Sequence, residues 1–247
     1  MPLPVPPASD AFTRVRTQLR QARALTQQLR MAAFPYQLGQ LEAAILCILS
    51  VSSKPRSLKP IAHALGIRLA SLSEAIALLE TKALVCVHPS TVDRRVKPIA
   101  LTRTGQHRAA RFITSQEHSP DRPRSYRVQQ LLVARQRLEQ LRRAATPFGM
   151  GALQAHLLIE LASAHPHNTH LRQTLAPHLH VEAPALTQAI HLLQDKGLIQ
   201  TTRASHSRIH QTLTLTTPGT VVAHQLLRTL PITRRQASRR ILLDPKD

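Results

Sequence analysis

The sequence predicts a mainly α-helical chain in which one module, several helices closed by a small β-hairpin, is used twice. Three observations carry this. The sequence resembles itself at a fixed displacement, each copy runs from helical to strand periodicity, and its apolar residues are aliphatic. Of 247 residues, 43% are hydrophobic but only 2% aromatic, with no Trp, so the core must come from Leu, Ile, Val and Ala.

The repeat sets the organisation. At a displacement of 114, Leu72, Ala75, Ile76, Leu78, Leu79, Lys82 and Leu84 fall on identical residues from Leu186 to Leu198. Arg94, Leu101, Thr102 and Gly105 then fall on Arg208, Leu215, Thr216 and Gly219. Upstream a displacement of 112 fits better, with Pro35 on Pro147 and Leu41 on Leu153. The difference reads as a two-residue insertion near Ala164–His170. The boundaries that follow are a first unit at 1–116, a linker at 117–123, a second unit at 124–232 and a basic tail at 233–247.

Each unit opens with a long helix. Leu19, Ala22, Leu29 and Ala33, with Thr26 between, recur at heptad spacing, and Leu131, Ala134, Leu138, Leu141 and Ala145 do the same. Such a seam, flanked by Arg and Gln, suits pairing with another helix. Buried helices are expected over Leu41–Ser50 and Leu153–Ala162, and short ones over Leu58–Leu65 and Leu171–Leu179. Amphipathic helices follow over Ala70–Lys82 and Ala183–Lys196. Gly197 suits the left-handed end of the last, where the first unit has Ala83. Hairpins over Leu84–His88 with Pro98–Thr102, and Leu198–Arg203 with Gln211–Thr216, precede closing helices. The order of three helices and a hairpin is that of a winged helix-turn-helix.

Charge points to the partner. Lys and Arg number 33 against 13 Asp and Glu, a net charge of +20. That imbalance suits a polyanion, and nucleic acid first of all. Other classes recede. The longest apolar run, Ala43–Leu49, is too short to span a bilayer. The N-terminus lacks the charged and apolar regions of a secretory signal, so a cytoplasmic, nucleoid-associated protein is expected. Cys47 and Cys86 read as reduced core residues. None of the seven glycines forms a phosphate loop. The acids are scattered singly, without the paired carboxylates of a nuclease, so no catalytic residue is expected.

Ser73–Val85 resembles the recognition helix and first wing strand of MarR-type regulators. Asp93-Arg94-Arg95-Val96-Lys97, followed by Leu101-Thr102-Arg103-Thr104-Gly105, is similar to that family's wing and its exit. The resemblance implies transcriptional regulation by paired units, often with a small-molecule or oxidant signal. Two units in one chain imply a covalent pseudo-dimer. The second unit departs from the pattern, with Ser207 for Asp93 and Ile209 for Arg95.

The expected partner is double-stranded DNA. A helix fits the major groove and its first exposed residues reach base edges. Those are Arg68, Ser71, Ser73 and Glu74 in the first unit and Pro184, Thr187 and Gln188 in the second. Arg94, Arg95 and Lys97 are the wing cations for a narrowed minor groove, with Arg203 and Arg208 in the second unit. Lys54, Arg56 and Lys59 suit phosphates. The stretch 149–230 holds 10 of the 14 His. His165, His167, His170, His178 and His180 read as a zinc site, as a surface charged below neutral pH that grips DNA more tightly at about pH 6 than at about pH 8, or as plain polar surface. They lack Cys and a standard ligand spacing, and no cofactor or metal is expected. Two other roles stay open: a plasmid-type replication initiator and a winged-helix interaction scaffold. So do a small-molecule effector and further self-association.

Overall fold

The computed structural model describes residues 8–52, 54–88, 98–115, 123–163, 170–203 and 211–230. They form a mainly helical chain with two small antiparallel sheets. The expected wing cations Arg94, Arg95, Lys97 and Arg208, the residues His165 and His167, the linker up to Arg122 and the tail at 233–247 lie outside them.

The chain divides into two compact units whose boundaries fall inside its two long helices, α1 (Ala8–Ala33) and α6 (Arg124–Ala145). One unit holds Leu25–Gln136. The other joins the first part of α1, up to Ala24, to the described residues from Arg137 to Leu230.

In the Leu25–Gln136 unit, α2 (Gln40–Leu49) is apolar on every side from Ala43 onward, and every residue from Ala43 to Leu49 is buried. A helix of that kind belongs at the centre of a core. Around it pack α3 (Leu58–Leu65), α4 (Leu69–Thr81) and α5 (Arg103–Thr114), with Phe112 fully buried. Leu29 and Ala33 of α1 and Val128, Leu131 and Leu132 of α6 complete this core. Strands β1 (Val85–Val87) and β2 (Ile99–Leu101) pair antiparallel, with Cys86 opposite Ala100.

The other unit repeats the order with α7 (Ala152–Ala162), α8 (Arg172–Leu179), α9 (Ala183–Asp195), β4 (Ile199–Arg203), β5 (Gln211–Leu215) and α10 (Thr217–Thr229). Its core takes Ala11, Phe12, Val15 and Leu19 from α1, and Phe12 meets the His224 ring edge-on at 5.0 Å.

The turns correspond in detail. A Cβ placed on Gly105 would lie 1.9 Å from the Leu84 carbonyl oxygen, and one on Gly219 would lie 1.9 Å from that of Leu198. Thr102 and Thr216 cap the closing helices, accepting from the Gly105 and Gly219 amides at 3.0 and 3.1 Å. Their hydroxyls donate to the carbonyls of Ala83 and Gly197, each at 2.7 Å. Left-handed backbone occurs at three matched pairs: Gln37 and Gly149, Gly66 and His180, Ala83 and Gly197. Each pair has glycine on one side only.

Three details differ from the sequence reading. A third strand, β3 (His170–Leu171), pairs with β5, setting His170 opposite Leu213. Leu171 therefore lies in a strand, and helix α8 starts at Arg172. In the first unit the same place is taken by a single bridge, Arg56 with Ile99, made by hydrogen bonds of 2.9 and 2.8 Å. Strands this short leave no periodicity to read. The extra residues of the second copy are also not all in the loop: α7 has 11 residues and α2 has 10. Finally, Cys86 is only half-buried, because alternate strand residues face outward, and its Sγ lies 3.4 Å from His88 Nε2.

Candidate nucleic-acid interface

Helix α4 turns Leu72, Ala75, Ile76 and Leu79 into the core. The opposite side, with Ala70, Ser73, Glu74 and Ala77, is exposed. Small residues at Ala70, Ser73 and Ala77 make this a low surface that a groove can approach closely. The helix starts at Arg68, which is exposed. Ser73 is exposed and its hydroxyl donates to the Leu69 carbonyl at 3.0 Å. Ser71 is half-buried, so its side chain is less available than the spacing predicted. Glu74 is exposed.

Helix α9 is built alike, burying Leu186, Ala189, Ile190 and Leu193. Pro184 and Gln188 are exposed and Thr187 is half-buried, its hydroxyl donating to the Ala183 carbonyl at 2.9 Å. Arg203 closes β4. Exposed His178 and His180 flank the turn before α9, and His180 has left-handed backbone. Among the described residues no three His, Cys, Asp or Glu converge on a metal-sized site.

The backbone of Arg56 is held by its bridge to Ile99, and Lys59 lies in the first turn of α3. Arg56 is half-buried, whereas Lys54 and Lys59 are exposed. Among the described residues, Lys54, Lys59 and Arg68 make no ion pair. A cavity of about 220 Å³ opens beside Lys54, lined also by Arg124 and Gln106 and floored by Ile99 and Leu101, with no acid among its lining residues.

The functional reading of the sequence missed one group. Glu160 and His156 of α7 are fully buried. Arg20 grips the Glu160 carboxylate with two nitrogens, its Nε at 3.0 Å from Oε2. Arg23 Nε donates to His156 Nδ1 at 2.7 Å, and His156 Nε2 is buried without a partner. Burial holds His156 well below its ordinary value, helped by Arg23, Arg20 and His180. Burial also lowers Arg23 to about 10. The signal was in the sequence: an acid inside the apolar run Leu157-Leu158-Ile159-Glu160-Leu161.

No family model and no curated protein matches the chain. Solved structures do. The heme sensor protein PefR, bound to heme and carbon monoxide, is 26% identical over 36% of this chain, with a TM-score of 0.32. The chain spans 64% of that protein's length. A MarR-family transcriptional regulator from Rhodococcus sp. RHA1 is 21% identical over 40% of this chain and 74% of its own, with a TM-score of 0.34. MepR from S. aureus, in complex with DNA, is 18% identical over 42% of this chain and 74% of its own, with a TM-score of 0.36. No helix among the described residues is by itself long and apolar enough to cross a membrane.

Proposed function

We propose that this chain is a sequence-specific double-stranded DNA-binding transcriptional regulator that works as a single-chain pseudo-dimer of two winged helices. The observation that carries the reading is the recurrence of one constellation. Gly105 against Leu84 with the Thr102 cap, and Gly219 against Leu198 with the Thr216 cap, fix the same junction of hairpin and closing helix twice. The third strand that winged helices use recurs with it, as a bridge at Arg56 and as β3 at His170.

In this reading α4 and α9 each enter a major groove. Arg68, Ser73, Pro184 and Gln188 stand nearest the bases, and Gln188 is a natural reader of adenine. Ser71 and Thr187 lie at the edge of the contact. The wing cations Arg94, Arg95, Lys97, Arg203 and Arg208 reach the minor groove, and Lys54, Arg56 and Lys59 hold phosphates. The net charge of +20 supplies the long-range attraction. Two non-identical heads have no need of identical half-sites.

Selection of bound sequences from random duplexes tests this, followed by salt titration of the winner. One enriched site and release of about six to ten counterions are expected when both heads engage. A slope of about three would mean that a single head binds. No enrichment at modest salt would overturn the reading.

A further inference from the structure

At the displacement of 112, the buried stretch Ala43–Leu49 of α2 matches Ala155–Leu161 of α7 in apolar character everywhere but twice. Ala44 falls on His156 and Ile48 on Glu160, and all four side chains are fully buried. The long-helix residues they face change in the same sense. Glu160 and His156 meet Arg20 and Arg23 of α1. At the same displacement Arg20 becomes Leu132 of α6 and Arg23 becomes Arg135. Leu132 is fully buried, in the same cluster as Ile48. One unit thus uses a fully buried carboxylate held by a part-exposed arginine where the other uses two aliphatic side chains.

We propose that this difference is a pairing code that excludes a second copy of this chain from like-with-like association. The inference rests on the duplicated-unit reading. The first half of α1 carries Arg20 and matches only the head built around α7, whose Glu160 answers it. The first half of α6 carries Leu132 and matches only the head built around α2, where Ile48 answers it. In a pairing of two first heads, Arg20 would face Ile48 and lose its carboxylate. In a pairing of two second heads, Leu132 would face Glu160 and leave a fully buried carboxylate unpaired. Burying an unpaired charge is strongly unfavourable, whereas a matched buried pair and a matched aliphatic pair are of comparable stability. The difference therefore acts on selectivity more than on strength, by penalising the wrong partner. His156 strengthens the rule, because its Nδ1 accepts from Arg23 while Ala44 offers no acceptor side chain.

The test makes the two ends alike in both possible ways, in the full chain. Arg20→Leu with His156→Ala and Glu160→Ile gives both ends the aliphatic set. Ala44→His with Ile48→Glu and Leu132→Arg gives both the polar set. Parent and variants are unfolded in denaturant, refolded from low to high concentration, and sized by light scattering, with circular dichroism to confirm folding. The parent is expected to return as one species of constant mass, and each folded variant to show an oligomer fraction that rises with concentration. Folded variants as uniform as the parent overturn the code and leave the duplicated-unit reading standing. A parent that itself associates overturns the code, and the reading beneath it is judged separately by the selection of bound duplexes. If neither variant folds, the residues serve the fold alone and the proposal falls.

Discussion

Gly105 lies so close to the Leu84 carbonyl that a methyl group on it would stand 1.9 Å from the oxygen. Gly219 stands to Leu198 in the same way. The obstacle is backbone, which no side-chain rotation relieves. Gly105→Ala and Gly219→Ala are each expected to lower stability by about 1–3 kcal/mol. Urea unfolding midpoints measure this, and an unchanged midpoint would show that the hairpin shifts freely.

Ala83 has the opposite problem. Its φ of 53° is left-handed, and the matched residue Gly197 takes φ 65° without penalty. Ala83 is exposed, so a change there disturbs little else. Ala83→Gly is expected to raise stability by up to about 1 kcal/mol, because relief of the left-handed strain exceeds the added chain entropy. Thermal unfolding of the single variant decides the sign.

His156 ties stability to pH. Its ordinary value is 6.5, and burial first, then Arg23, Arg20 and His180, hold it well below that in the fold. The unfolded chain takes up a proton near pH 6.5 that the folded chain refuses. Stability from this group is complete above that pH and falls as the pH drops toward the folded value, by up to about 1.4 kcal/mol per pH unit. Between about pH 7.5 and about pH 5.5 the parent should therefore lose more stability than His156→Ala. Equal losses would show that His156 is protonated in the folded protein.

The two cysteines should separate by reactivity. Cys47 is fully buried in α2, and burial pushes its thiol up to about 12, which removes the reactive thiolate near neutral pH. Cys86, half-buried beside His88, is the accessible one. Maleimide labelling followed by peptide mass analysis should find Cys86 modified first, with Cys47 modified only when denaturant is added. Labelling of Cys47 at the same rate would mean that α2 opens readily.

Much of this was legible in the sequence because it is written in side-chain pattern. The apolar face of α4, from Leu72 to Leu79, and its copy on α9 follow from spacing alone, as does the glycine shared by Gly105 and Gly219. Other features rest on backbone or on distance along the chain. The Arg56–Ile99 bridge is one residue pair with no pattern to announce it. The division of α1 and α6 between units depends on which core Phe12 or Val128 enters, and periodicity marks a face without naming what covers it. Glu160 was visible as an acid in an apolar helix. Its partner Arg20 was one cation among 33 basic residues, and only the fold brings the two together.

That α1 is shared bears on how the polypeptide matures during synthesis. Phe12 leaves the ribosome long before His224, whose ring it packs against. The Leu25–Gln136 unit has all its described pieces early and is free to close at once. The amphipathic start of α1 must wait, its greasy side uncovered, until α10 emerges. A nascent chain paused between those moments is the form most exposed to chaperones and to aggregation.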